Sequence, residues 1–395
     1  MSLPSKSRRV CFISSRSAYI NGADSFSMDW ANGRLIKCLI DQNIGVSAVA
    51  IFADISKRNS YNFEIKVSKI YSLPFPFSYK GAILNFFSFR RILKQIAADN
   101  DILIVQLPFI GFISLLTVKS PTIFHVCANV LTAARNPFKY AGMKLIASKF
   151  FAFFMHVIFR RLFKRNNSKL IVNGNELGDL YRIFDPIVTV SSSVKLSEIV
   201  SLNDISYRSN SSDFSILFIG RPSKEKGFHT LLNAYIRLVD SGNNVSLSLV
   251  GLSRQDLLDM IDFRIEEKYF ETIQFYGFIP WGVEFKRIVN ESHCLALCSV
   301  SEGTPRVLIE ARALGCPVVA TRVGGITTSV KDKIDGVLFE PEDVTGLVKS
   351  IQMLFDENFR QMLITNGLET VKHHTLEKFS NTFIEAINGI VNHES

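Results

Sequence analysis

The sequence predicts two α/β domains, each a doubly wound parallel sheet covered by helices. Three observations carry this expectation. Short apolar runs of strand length alternate with helical patterns from end to end, as parallel strands joined by crossover helices require. At 395 residues the chain exceeds what one hydrophobic core usually serves. Finally, Ser191–Asp213 is rich in Ser and Asn, lacks a long apolar pattern, and divides the chain into two halves.

The elements follow in order. Val10–Ser14, Val46–Phe52, Ile102–Gln106, Thr122–Val126, Leu170–Val172 and Val188–Val190 are the strand candidates of the first half. Most are unbroken runs rich in β-branched and large apolar side chains, which suits strands buried on both faces. In the second half the candidates are Ile216–Ile219, Leu247–Val250, Ile273–Phe275, Cys294–Cys298 and Pro317–Ala320. Helical spacing returns between them, as at Leu231, Leu232, Ala234 and Tyr235. The expected organisation is a first domain over 1–190, a linker over 191–213, a second domain over 214–375 and a terminal helical segment over 376–395. No sequence repeat is visible.

Hydrophobic content of 47% and a mean hydropathy of +0.19 exclude a disordered chain. Six cysteines show no CxxC pair, so they read as buried thiols in a reducing cytosol. Val10–Ile13 is too short for a signal-peptide core, and no apolar run is expected to reach the roughly 18–20 residues that span a bilayer. Charge is uneven. Residues 1–200 carry 26 Lys and Arg against 11 Asp and Glu, and the remainder reverses the sign with 19 against 25. No acidic residue lies between Asp101 and Glu176, and within that stretch Phe138–Lys169 interleaves cations with phenylalanines. Such a segment suits the surface of an anionic membrane. Nucleic acid is not expected, because no nucleic-acid motif accompanies the charge.

Residues 299–325 hold the most informative chemistry. Glu302 falls at the end of a strand and Glu310 a turn and a half into the following helix, whose start is marked by Gly303, Thr304 as N-cap and Pro305. A helix N-terminus offers free N–H groups to an anion, here from Gly303 through Arg306 and Val307. Two hydroxyl acceptors beside an anion site suit a sugar nucleotide. Upstream, Gly220-Arg221-Pro222-Ser223-Lys224-Glu225-Lys226-Gly227 follows a buried strand and precedes a helix. The Arg221 guanidinium matches phosphate oxygens two at a time, and Lys226 adds a point charge.

With Ser299-x-x-Glu302-Gly303-x-Pro305-x4-Glu310-Ala311, Pro317–Thr321, Gly324-Gly325 and the Arg221–Lys226 loop in order, the chain resembles the retaining glycosyltransferases of family 4 (group 1). The resemblance is clear over residues 215–355. It implies the GT-B architecture, two doubly wound domains facing a cleft, with the C-terminal helix crossing back to the first domain. It implies that Arg221 and Lys226 hold the donor diphosphate, Glu302 the sugar hydroxyls and Glu310 the ribose. Gly220 and the segment Gly303–Val307 would line the phosphate, and Phe278 and Ile279 the base. His125, after the strand-like Pro121–Phe124, matches a family histidine near the donor sugar. Two departures stand out: the Gly-rich loop after the first strand is replaced by Asn21-Gly22-Ala23, and Thr328 stands at a usual glutamate position.

The resulting expectation is a cytoplasmic enzyme, peripheral on the inner face of the membrane. It would move a sugar from a UDP- or GDP-linked donor to a lipid-linked saccharide in cell-surface polysaccharide synthesis, such as O-antigen or capsule. No metal or other cofactor is expected, because Arg221, Lys226 and the helix terminus supply the positive charge. A sugar-nucleotide epimerase of the same architecture and a non-catalytic nucleotide-sugar-binding scaffold are the alternatives.

Overall fold

The computed structural model describes residues 8–42, 46–54, 63–73, 85–135, 142–205, 213–261 and 265–394. The chain forms two compact units, Met1–Thr189 with Leu376–Ser395, and Val190–Thr375.

In the first unit the strands are β1 (Val10–Ile20), β2 (Ser25–Met28), β3 (Val46–Ala53), β4 (Phe63–Lys66), β5 (Lys69–Leu73), β6 (Ile102–Leu107), β7 (Thr122–Val126), β8 (Ser168–Asn173) and β9 (Ile187–Thr189). Parallel pairing sets the order β5-β3-β1-β6-β7-β8-β9. β6 and β7 are buried at every position, which explains their largely apolar composition. Leu103, Val105 and Phe124 meet the helices Phe86–Asp99 and Gly142–Phe163 on one face. Ile102, Ile104 and Ile123 meet Trp30–Asp41 and the terminal helix Leu376–Glu394 on the other.

The first strand differs from expectation. It runs past Ser14 to Ile20 through a register shift between Ile13 and Ser17, then pairs antiparallel with β2, which pairs with β4. Asn21-Gly22-Ala23 therefore forms a hairpin tip, closed by the Asn21 N–H donating to the Ser25 carbonyl at 2.9 Å. β2, β4 and β5 escaped the sequence reading because they are short and mix polar with apolar residues.

The second unit holds β10 (Phe214–Ile219), β11 (Val245–Val250), β12 (Ile273–Gly277), β13 (Cys294–Leu297), β14 (Val318–Thr321) and β15 (Val337–Phe339). All are parallel, in the order β12-β11-β10-β13-β14-β15. Strand order reverses between β10 and β13, and the crevice outside that switch point is where such sheets bind ligands.

Two further readings change. Residues 191–205, read as linker, pack on the second unit, where Val194 joins Val190, Ile309, Ala313 and Val371 in one apolar cluster. The Val200 N–H also donates to the Ala313 carbonyl at 2.9 Å. These contacts are too sparse to give a periodic signal; residues 206–212 of that stretch lie outside the described residues. The second change is the helix Gly142–Phe163. Its 22 residues include an 18-residue window of mean hydropathy 1.5, so by length and composition it is long and apolar enough to cross a membrane. Lys144 and Lys149 interrupt the apolar run and hid this in the sequence. Only 22% of that window is buried. Ala152, Met155, Phe159 and Leu162 enter the core, while Met143, Ile146, Phe150, Phe153 and Val157 are exposed.

Candidate functional site

The site is built at the carboxyl ends of β10, β13 and β14. After β10 the chain makes one 3-10 turn over Lys224–Lys226 and enters the helix Phe228–Asp240 through Gly227. Gly227 has φ +71°, and a side chain there would collide with the Cys298 carbonyl. Only glycine tolerates both the left-handed backbone and the close approach. The Val300 N–H donates to the Glu225 carbonyl at 3.0 Å, which staples the loop after β10 to the loop after β13.

That staple brings the two motifs together. Lys226 Nζ donates to Glu302 Oε1 at 2.6 Å, and the Ser299 hydroxyl donates to the same oxygen at 2.6 Å. The Thr321 hydroxyl in turn donates to the Ser299 carbonyl at 2.6 Å, tying β14 to the same turn. The Lys226 and Glu302 side chains are 18% and 12% exposed, so the pair is largely withdrawn from water, where its attraction is less screened than on an open surface. The loop after β14 comes equally close: a side chain at Gly325 would strike the Gly303 carbonyl.

The helix Arg306–Ala313 follows, with Pro305 as its N-cap and no capping side chain. Thr304 was expected to cap it. Its hydroxyl instead accepts from the Ser191 N–H at 3.3 Å, so the helix begins one residue later. Leu308, Ile309, Ala311 and Ala313 are buried, which turns Glu310 toward the segment entering the unit. There the Ser193 hydroxyl donates to Glu310 Oε1 at 2.6 Å. Ser193 was missed by the sequence reading, since one serine among three in a polar stretch carries no local signal. Arg306 and Val307 are partly buried at the helix start.

Other expected residues sit on the same sheet edge without joining this cluster. Gly220 directly follows β10, its N–H donating to the Val250 carbonyl at 3.0 Å. Arg221 is exposed beside it, Phe278 is 75% exposed beyond β12, and Ile279 is partly buried. His125 lies in β7 of the first unit with 1% exposure, Nε2 is 3.0 Å from Asn173 Oδ1, and the ring packs against Phe379 and Phe383 of the terminal helix.

Among the described residues no group of three His, Cys, Asp or Glu is arranged to hold a metal ion. The Asp99-Asn100-Asp101 triplet has the spacing of a metal-holding pair, but its carboxylates are committed elsewhere. Asp99 accepts from Lys69 Nζ at 2.7 Å and the Tyr71 hydroxyl at 2.8 Å, which holds its carboxyl below the usual range, Lys69 being the larger cause. Asp101 accepts from the Arg9 N–H at 2.8 Å.

Residues 202–370 match the family described as Glycosyl transferases group 1. The chain is 27% identical over 187 residues to the capsular polysaccharide biosynthesis glycosyltransferase CapM of Staphylococcus aureus, covering 45% of this chain and 48% of that protein. It is 26% identical over 179 residues to a Campylobacter jejuni enzyme named as an N-acetyl-D-galactosaminyltransferase acting on a diNAcBac-PP-undecaprenol glycan, again covering 45% and 48%. The chain thus spans about half the length of these curated relatives. Over nearly its whole length it resembles the sucrose-phosphate synthase structure from Thermosynechococcus elongatus, with TM-score 0.72, 17% identity and coverage of 98% of this chain and 99% of that one. The chain therefore has the GT-B fold, and its second unit carries the sequence pattern of group 1 glycosyl transferases.

Proposed function

We propose that this protein is a retaining glycosyltransferase that moves a sugar from a nucleotide-diphosphate donor to a lipid-linked saccharide. The observation that carries the reading is the meeting of Lys226 and Glu302 at the switch point of the second sheet, from motifs 76 residues apart. A cation for phosphate and a carboxylate for sugar hydroxyls then stand within one hydrogen bond of each other. Lys226 has three N–H donors, so it can serve Glu302 and a diphosphate together. Arg221 stands on the same loop with its guanidinium exposed.

In the proposed reaction the bond from the anomeric carbon to the diphosphate oxygen breaks as the acceptor oxygen bonds to the same face of that carbon. The acceptor proton passes to the departing phosphate oxygen. Negative charge grows on the leaving group, so Arg221, Lys226 and the first-turn N–H groups of Arg306–Ala313 stabilise the transition state more than the ground state. Glu302 orients the sugar and Glu310 the ribose. The names of the Staphylococcus and Campylobacter relatives support a role in surface-polysaccharide synthesis. The exposed apolar face of Gly142–Phe163, flanked by Lys144, Lys149, Arg161 and Lys164, supports attachment to an anionic membrane that carries the acceptor.

A melting-temperature panel of nucleoside diphosphates and their sugars tests the donor class, since a ligand of the folded state alone raises its stability. One base should stabilise the protein, and its sugar conjugate should be consumed in the presence of lipid-linked saccharides. Stabilisation by none overturns the reading. Release of an epimerised nucleotide sugar without acceptor identifies the epimerase instead.

A further inference from the structure

Ser193 belongs to neither motif, yet it touches one of the two central carboxylates. It stands where the chain enters the second unit and is fully buried. Three features hold that segment against the Arg306–Ala313 helix and the loop before it. Val190 and Val194 pack with Ile309, Ala313 and Val371. The Ser191 N–H donates to the Thr304 hydroxyl at 3.3 Å. The Ser192 hydroxyl accepts from the Val194 N–H at 3.2 Å, which closes the turn around Ser193. With its backbone fixed in this way, the Ser193 hydroxyl reaches Glu310 Oε1 at 2.6 Å, the length of a charge-assisted bond.

A carboxylate has about four lone-pair sites and can accept from several donors at once. A glutamate side chain has several rotatable bonds and selects a ligand well only when it is held in place. We infer that Ser193 is a positioning residue that fixes the Glu310 carboxylate for the nucleotide ribose and so sets the preference for ribonucleotides over deoxyribonucleotides. This rests on the proposed reading of Glu310 as the ribose contact. A site built to hydrogen-bond hydroxyl groups discriminates against analogues that lack them, because its own polar groups are then left unpaired.

The test is calorimetric binding of the nucleoside diphosphate that stabilises the protein and of its 2′,3′-dideoxy counterpart. The proteins compared are wild type, Ser193→Ala, Glu310→Gln and the double variant. Wild type should favour the ribonucleotide, and Glu310→Gln should bring the ratio of the two affinities close to one. Ser193→Ala should lower that ratio by about threefold to tenfold, in keeping with loss of one typical intramolecular hydrogen bond, while dideoxy affinity stays unchanged. The double variant should match Glu310→Gln. Should Ser193→Ala fail to fold, Ser193→Cys keeps most of the volume with a weaker donor and should shift the ratio the same way. If no nucleoside diphosphate binds, or Glu310→Gln keeps the wild-type ratio, the reading of the site fails and the inference with it. If Glu310→Gln loses the ratio while the Ser193 variants keep it, the reading stands and Ser193 only fills space.

Discussion

Lys226 and Glu302 neutralise each other in a largely desolvated pair, and Ser299 bonds the same carboxylate oxygen. Removing either charge strands the other, so the two substitutions should fail in different ways. Lys226→Ala should lower donor turnover by about tenfold to a thousandfold, the range for loss of one transition-state charge contact. Glu302→Ala should cut turnover while leaving nucleoside diphosphate affinity within a few-fold of wild type, because its proposed partner is the sugar. Steady-state kinetics with binding calorimetry checks both, and wild-type turnover in a folded Glu302→Ala protein would sink the assignment. Gly227 acts through the backbone. Gly227→Ala places a side chain at positive φ and against the Cys298 carbonyl, a strain of about 1–3 kcal/mol or more. Thermal denaturation should show a lower midpoint even with donor absent.

The helix Gly142–Phe163 is apolar on two faces, and only one of them is used inside the first unit. Arg165, just beyond it, donates to the Val118 carbonyl at 2.7 Å and the Leu115 carbonyl at 3.0 Å, so it works as a structural clamp rather than a surface cation. Replacement of Lys144, Lys149, Arg161 and Lys164 by Gln should therefore weaken binding to anionic vesicles. Each cation near the surface is worth on the order of 1 kcal/mol. Arg165→Gln should instead lower the melting temperature with vesicle affinity retained. Ile146→Asp with Phe150→Asp should abolish vesicle binding even at low salt, because it charges the exposed apolar face. Flotation with anionic and neutral liposomes separates these outcomes. Equal binding by the Asp variant and wild type would remove the helix from the membrane reading.

For the molecule as a whole, acid sensitivity follows from a buried charge network in the second unit. Arg312 and Asp335 are 1% and 0% exposed with Nη1 and Oδ1 3.5 Å apart, and the Thr370 hydroxyl donates to Asp335 Oδ2 at 2.8 Å. Burial first, and then the Arg312 charge, push the pKa of His374 down from 6.5 to about 4. The folded state therefore keeps His374 neutral, and between these two values the unfolded chain binds more protons. Stability is fully present above pH 6.5 and is lost as pH falls toward 4. Urea titrations at pH 7, 5.5 and 4.5 should show this decline, and His374→Gln should flatten it. An unchanged pH slope in that variant would assign the acid sensitivity to other groups.

Much of this protein was legible as local pattern. Unbroken apolar runs announced the central strands because a sheet buried on both faces tolerates little else. The glycine-framed Glu302 and Lys226 motifs were visible because turns at strand ends constrain residue type at fixed spacing. The short strands Ser25–Met28 and Phe63–Lys66 were not legible, since their pairing is non-local and their composition mixed. Nor was the burial of His125, whose surroundings arrive from Phe379 and Phe383, more than 250 residues away. The polar stretch after Val190 looked like a linker until Val194 met Ile309 and Ala313. Sequence alone determined the α/β class, the strand-loop-helix units and the types of group at the site. Only the tertiary structure decided which of those groups touch, because hydrogen bonds such as Lys226 to Glu302 and Ser193 to Glu310 join positions 76 and 117 residues apart, and the packing of the whole sheet sets the distance between them.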